Sequence, residues 1–127
     1  MILVDSSVWI DHLRFAVPSL RELISQRNVL SHPFVVGELA MGSLKDRGAL
    51  ITELSRLPRA QVIDEDDVLA FIDRFKVYAC GIGYVDAHLL ASTKATPSAS
   101  LWTRDRRVQA IAAELGIAAN LPGSSVQ

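Results

Sequence analysis

The sequence predicts an α/β fold built on a mainly parallel sheet, and three observations point there. Short aliphatic runs alternate along the chain with segments of helical period. The first run, Ile2-Leu3-Val4, is apolar at successive positions, the pattern of a strand buried on both faces. Half of the 127 residues are hydrophobic, enough for one packed core in one domain.

The elements follow in order. After the first strand, Ser6 or Ser7 supplies a cap for a helix reaching about Phe15. Pro18-Ser19-Leu20 opens a second helix to about Gln26, since proline fits a first helical turn. Val29-Leu30-Ser31 reads as a second strand and Phe34 to Gly42 as a helix. A further helix spans about Asp46 to Leu57 and stops before Pro58. Gln61-Val62-Ile63 is expected to form a third strand. Asp64-Glu65-Asp66-Asp67 then places acids at the positive end of a long helix reaching about Ala79. Gly81-Ile82-Gly83 is a break. A helix from about Tyr84 to Thr93, the loop Thr96-Pro97-Ser98 and a fourth strand, Ser100-Leu101-Trp102-Thr103, come next. The helix from Asp105 to Leu115 is ended by Gly116, and Ile117-Ala118-Ala119 makes a last short strand. The expected domain covers residues 1–122, with a loose tail at 123–127.

Charge excludes one class of function. Lys and Arg number 13 against 14 Asp and Glu, a formal net charge of -1. A chain that grips nucleic acid by charge alone is strongly basic. Any such role here rests on a local site or on recruited cations. Cys80 is the single cysteine, so no internal disulfide forms, which suits a reducing cytoplasm. It reads as a small buried apolar residue. The start of the chain lacks the pattern of a secretory leader, and no apolar run is long enough to cross a bilayer. His12, His32 and His88 have no metal-ligand spacing and read as surface or packing residues. Trp9 and Trp102 lie in apolar segments and read as core or interface.

Four acids stand apart from the rest. Ligands of parallel sheets bind beyond the carboxyl ends of the strands, and Asp5 and Asp105 each follow a strand. Glu38 shares a helical face with Phe34, Val35, Met41 and Gly42, and Asp86 with Ile82, Gly83, Leu89 and Leu90. Both carboxylates are therefore expected to point toward the core. Burying an unpaired carboxylate is expensive, so either a buried basic side chain or a cation is expected beside each. The remaining acids, Glu22, Glu53, Asp64, Asp66, Asp67 and Asp73 among them, read as solvated, and Glu114 as a residue near a helix end.

Convergence of the four would be repulsive. Two carboxylates about 4 Å apart interact by about 4 kcal/mol at an effective dielectric of about 20. Divalent cations relieve that repulsion, and all-oxygen ligands favour Mg²⁺ or Mn²⁺. Asp5 and Asp86 are the expected principal metal ligands. Glu38 would ligate or orient a water. Asp105 would hold a second ion, act through water, or serve only as a helix cap. Ser7 and Thr103 would fix the carboxylates. Arg104, Arg106 and Arg107 flank Asp105 and are candidate contacts for a phosphate backbone, a solvated charge cluster being the equal alternative.

Four segments carry a family resemblance: Leu3-Val4-Asp5-Ser6-Ser7-Val8-Trp9-Ile10, Gly37-Glu38-Leu39, Val85-Asp86-Ala87-His88-Leu89-Leu90-Ala91 and Leu101-Trp102-Thr103-Arg104-Asp105. In this order, and at this chain length, they resemble PIN-domain ribonucleases, above all the VapC toxins of bacterial toxin–antitoxin pairs. The resemblance places the family's acidic quartet on Asp5, Glu38, Asp86 and Asp105 and its hydroxyl position on Thr103. It implies a three-layer α/β/α sandwich, Mg²⁺ or Mn²⁺, and endonucleolytic cleavage of RNA that inhibits growth. It also implies a homodimer and a cognate VapB-like antitoxin that neutralises the toxin.

Two other classes of function compete. One is a metal-dependent phosphatase or phosphoacceptor with a nucleophilic Asp after its first strand. Lys94 is a poor basic partner for it, since it follows a helix and not a strand. The other is a non-catalytic module whose acidic pocket receives a partner's Arg or Lys. Acids at all four positions speak against it.

Overall fold

A computed structural model describes residues 1–121 of the chain. The expected tail at 123–127 lies outside the described residues. Within them the elements run β1 (Ile2–Val4), α1 (Ser6–Phe15), α2 (Pro18–Ser25), β2 (Val29–Leu30), α3 (Pro33–Ala40), α4 (Arg47–Ser55), α5 (Glu65–Phe75), α6 (Tyr84–Ala95), β3 (Ser100–Trp102) and α7 (Arg106–Glu114). The expected α/β class is borne out.

The sheet has the order β2-β1-β3, all parallel. Ile2 faces Val29 on one side and Ser100 on the other. Successive strand residues point to opposite faces, yet Leu3 and Val4 are both fully buried, as are Leu101 and Trp102. Helices therefore cover both faces, the layered sandwich that the family resemblance implies. Each buried leucine or valine contributes roughly 1.5–3 kcal/mol. That burial lets strands of two or three residues persist.

One expected strand, Ile117-Ala118-Ala119, shrinks to a single bridge, and another, Gln61-Val62-Ile63, does not form. Ser31 bridges Arg59 and Leu101 bridges Ala118, both parallel, one at each margin of the sheet. Ser31 spends its backbone groups on Pro58 and Ala60, so pairing happens just before Gln61-Val62-Ile63. That run then leaves the sheet with Val62 exposed, and the Gln61 amide donates to Thr96 Oγ1 at 2.8 Å. Its two β-branched residues thus mark no strand. The helix from Asp64 ends at Phe75 and not at Ala79, because Lys76 adopts a left-handed conformation (φ 55°) and Val77 donates back to Ile72. Cys80 is exposed, contrary to its expected burial, since it sits in the irregular segment that follows.

The chain order fixes where a site can form. β1 is followed in space by β2 on one side and β3 on the other, so the direction of winding switches between β1 and β3. The crevice at the carboxyl ends of strands at such a switch is where α/β sheets take ligands. Asp5 lies immediately after β1, and Thr103 and Asp105 lie after β3.

Candidate active site

Asp5 is the anchor of this crevice. It is 7% exposed and caps α1 itself, in place of the serines expected there, by accepting from the Ser6 amide at 2.8 Å. Its Oδ2 accepts from Ser7 Oγ at 2.8 Å and from Thr103 Oγ1 at 2.9 Å. Both hydroxyls also accept: Ser7 from the Arg104 amide at 3.1 Å, Thr103 from the Asp105 amide at 3.1 Å. Two small hydroxyls therefore tie the ends of β1 and β3 together through one carboxylate, and each has both of its roles filled.

The other three acids arrive from separate helices. Glu38, on α3, lies next to Asp5 through Ser6, whose hydroxyl donates to Glu38 Oε1 at 3.0 Å and stands 3.5 Å from Asp5 Oδ1. Asp86, in the first turn of α6, accepts from the Gly83 amide at 3.0 Å. Asp105 caps α7, its Oδ1 accepting from the Arg107 amide at 2.9 Å and the Val108 amide at 3.1 Å. It is both a helix cap and a member of the acidic group, since its charge acts on Asp86.

The four acids bear on one another electrostatically. Partial burial, then the charges of Asp5 and Asp86, hold the Glu38 proton affinity above the usual carboxylate range, with the Ser6 hydrogen bond opposing. Asp86 is raised in the same sense by burial and by the charges of Asp5 and Asp105, opposed by the Gly83 amide. Acids distant in the chain thus meet at the carboxyl edge of the sheet.

Glu38 does not point into the core as its helical neighbours suggested. It is exposed, and so are Gly37, Phe34 and Met41, the last at 89%. Its apolar neighbours form an open surface hollow, lined by Pro33, Phe34, Gly37, Met41 and Val85, with Glu38 among them. Asp86 is half-buried, above the buried Leu89 and Leu90.

The arginines differ from one another. Arg104 pairs with Asp11 at 3.2 Å and lies over the Trp102 ring. Arg107 donates to the Gly81 carbonyl at 3.3 Å. Three contributors escaped the reading of the sequence. Ser6 links two of the acids, the Gly83 amide holds Asp86, and Gly81 seats Arg107. Only Gly83 carried a signal: an acid three residues after a helix-capping position can reach back to that amide.

A model of the PIN domain family matches residues 2–114. The chain belongs to the PIN-domain family. Among PIN-domain relatives, a protein named Ribonuclease VapC32 from Mycobacterium tuberculosis, in strains CDC 1551 / Oshkosh and ATCC 25618 / H37Rv, is 45% identical over 118 residues. The match covers 93% of this chain and 95% of the relative.

The acidic group has the donor chemistry of a divalent-ion site. Its donors are hard carboxylate oxygens whose mutual repulsion a cation relieves. Among the described residues, no three His, Cys, Asp or Glu side chains already form a coordination cluster. The residues present fit a divalent ion by donor chemistry.

Proposed function

We propose that this PIN-domain chain is the toxin of a toxin–antitoxin pair, a metal-dependent endoribonuclease that inhibits growth and is neutralised by a VapB-like antitoxin. The observation that carries the reading is that Asp5 and Glu38 share the Ser6 hydroxyl at the switch point of the sheet, with Asp86 and Asp105 near enough for their charges to act on this group. The likeness to a relative named as a ribonuclease supports the reaction class. We assign the work to the cytoplasm and to a homodimer. No described helix is long and apolar enough to cross a membrane.

Asp5 and Asp86 would hold Mg²⁺ or Mn²⁺, with Glu38 and Asp105 acting directly or through water. When bound, the ion supplies a more acidic water and stabilises charge on the leaving oxygen. The chain's own contribution is orientation. Ser7 and Thr103 fix Asp5 Oδ2, the Ser6 amide fixes Oδ1, and the Gly83 amide fixes one oxygen of Asp86. Glu38, whose proton affinity is raised, orients the attacking water and takes its proton at the carboxylate. Arg104 and Arg106 lie beside Asp105, where the phosphates flanking the cut pass.

The test is cleavage of a structured RNA by antitoxin-free protein in Mg²⁺ or Mn²⁺. Asp5→Asn and Asp86→Asn should each lower the rate by roughly 100-fold or more while leaving the fold intact by circular dichroism. Undiminished cleavage in either variant rejects that residue's role. Hydrolysis of a small phosphomonoester with RNA untouched would turn the reading to a phosphatase.

A further inference from the structure

We infer that Arg107 is a positioning residue whose side chain locks the acid of α6 to the acid of α7. The inference rests on the proposed metal-binding role of those acids.

Gly81 has φ +79°, a conformation that side chains with a Cβ rarely adopt. It is also a seat. A Cβ there would overlap Arg107 Nη1 and stand 3.0 Å from Cδ and Cζ. The Arg107 side chain therefore occupies space that only glycine leaves open, and Nη1 donates to the Gly81 carbonyl at 3.3 Å. Two residues further on, the Gly83 amide holds Asp86 Oδ2 at 3.0 Å. At the other end of the same arginine, its backbone amide donates to Asp105 Oδ1 at 2.9 Å.

A single residue thus touches the cap of Asp105 with its main chain and the loop that caps Asp86 with its side chain. Within itself the loop is held by Cys80 Sγ on the Lys76 and Tyr78 carbonyls and by Ile82 packed against the core, and neither sulfur contact ties it to α7. It follows the left-handed Lys76 and contains the left-handed Ala79 and Gly81 before α6 begins at Tyr84. Without the bracket the loop and the first turn of α6 lose a fixed relation to α7. Asp86 and Asp105 would then approach a shared ion from variable directions. Partners that orient metal-binding groups typically matter 10–100-fold in metal affinity or activity. The competing assignment, a phosphate contact, makes a different demand. It needs the guanidinium fork to face the substrate, and here part of that fork is used on Gly81.

The experiment titrates Mn²⁺ alone into the metal-free full chain by calorimetry, with RNA binding measured separately as a function of salt. Arg107→Ala should weaken Mn²⁺ binding about 10-fold. Arg107→Lys, which keeps a donor for the carbonyl, should recover part of it. Gly81→Ala should lose at least as much, since it breaks the same contact and also strains a backbone at φ +79°, and the double variant should be no worse than Gly81→Ala alone. The Gly83 amide should exchange hydrogen faster in Arg107→Ala even without metal. Unchanged Mn²⁺ affinity in Arg107→Ala, with Mn²⁺ still bound by the unaltered chain, overturns this inference alone. A flattened salt slope with unchanged Mn²⁺ affinity overturns it in favour of a phosphate contact. Absence of Mn²⁺ binding to the unaltered chain overturns the ribonuclease reading and this inference with it.

Discussion

Glu38 presents an exposed face, yet partial burial of its carboxyl first, and then the charges of Asp5 and Asp86, raise its proton affinity. A carboxyl raised in the folded state binds its proton more tightly folded than unfolded. It therefore weakens the fold as pH rises above the ordinary carboxylate range, and the penalty fades as pH falls through the folded value. In EDTA at neutral pH, Glu38→Gln should raise the Tm by roughly 1–3 °C, a small gain because solvent screens the exposed group. The Ser6 hydroxyl keeps an acceptor in the amide. Melting curves across mildly acidic pH should show that advantage shrinking. A constant difference at all pH values would mean that charge is not the cause. The exposure itself was illegible in the sequence. A helical wheel reports which residues share a face, and Phe34, Glu38 and Met41 do, but not whether that face is covered.

Among the elements, a buried histidine at the start of α3 reaches α6 by hydrogen bond, beside the ring contact of His88 with Phe34. His32 caps α3, its Nδ1 accepting from the Phe34 amide at 3.0 Å, while Nε2 lies 3.0 Å from Ser92 Oγ in α6. It is fully buried, and burial, with smaller contributions from His88 and Arg59, pushes its pKa down to about 4 from 6.5. The sequence offered three scattered histidines and a choice between surface and packing. Its cap is local, but its link to α6 was hidden because the Ser92 hydroxyl lies 60 residues away. His32→Ala removes a cap and strands a buried hydroxyl, so it should cost about 2–4 kcal/mol in urea unfolding. A neutral buried histidine takes up no proton until pH nears 4, while the unfolded chain takes one up near 6.5. Its contribution is therefore complete above 6.5 and lost on acidification through that window. The fall in unfolding free energy between pH 6.5 and 4 should be steeper in the unaltered chain than in His32→Ala. Parallel slopes would remove His32 as the source.

At the scale of the whole molecule, the net charge of -1 leaves no general attraction for RNA. Binding by the cleavage-defective Asp5→Asn chain should then report only the few cations near the site. If Arg104 and Arg106 neutralise two phosphates of a single strand, log Kd should change with log salt by a slope of about 1.4 in magnitude. Arg106→Ala should reduce that slope by about 0.7. A slope of several units, or one indifferent to Arg106, would place the contact surface elsewhere. Order of elements and class of fold were readable at this scale, since burial of both sheet faces writes itself as continuous apolar runs such as Ile2-Leu3-Val4. Strand existence at the margins was not. Gln61-Val62-Ile63 and Ile117-Ala118-Ala119 have apolar character, yet whether an edge segment pairs depends on where its neighbour's backbone groups are already spent.

The sequence by itself determined the α/β alternation, the parallel core strands, the family, and which four acids stand at strand ends or on otherwise apolar helix faces. These follow from local periodicity and residue type. Only the tertiary structure decided which backbone amides and hydroxyls hold those acids, that Glu38 faces solvent, that His32 couples two helices, and that Gly81 is a seat for Arg107. The decisive contacts among them, Thr103 to Asp5, Ser6 to Glu38, Ser92 to His32 and Arg107 to Gly81, join segments distant in the chain, and exposure, like distance, exists only once the chain has folded.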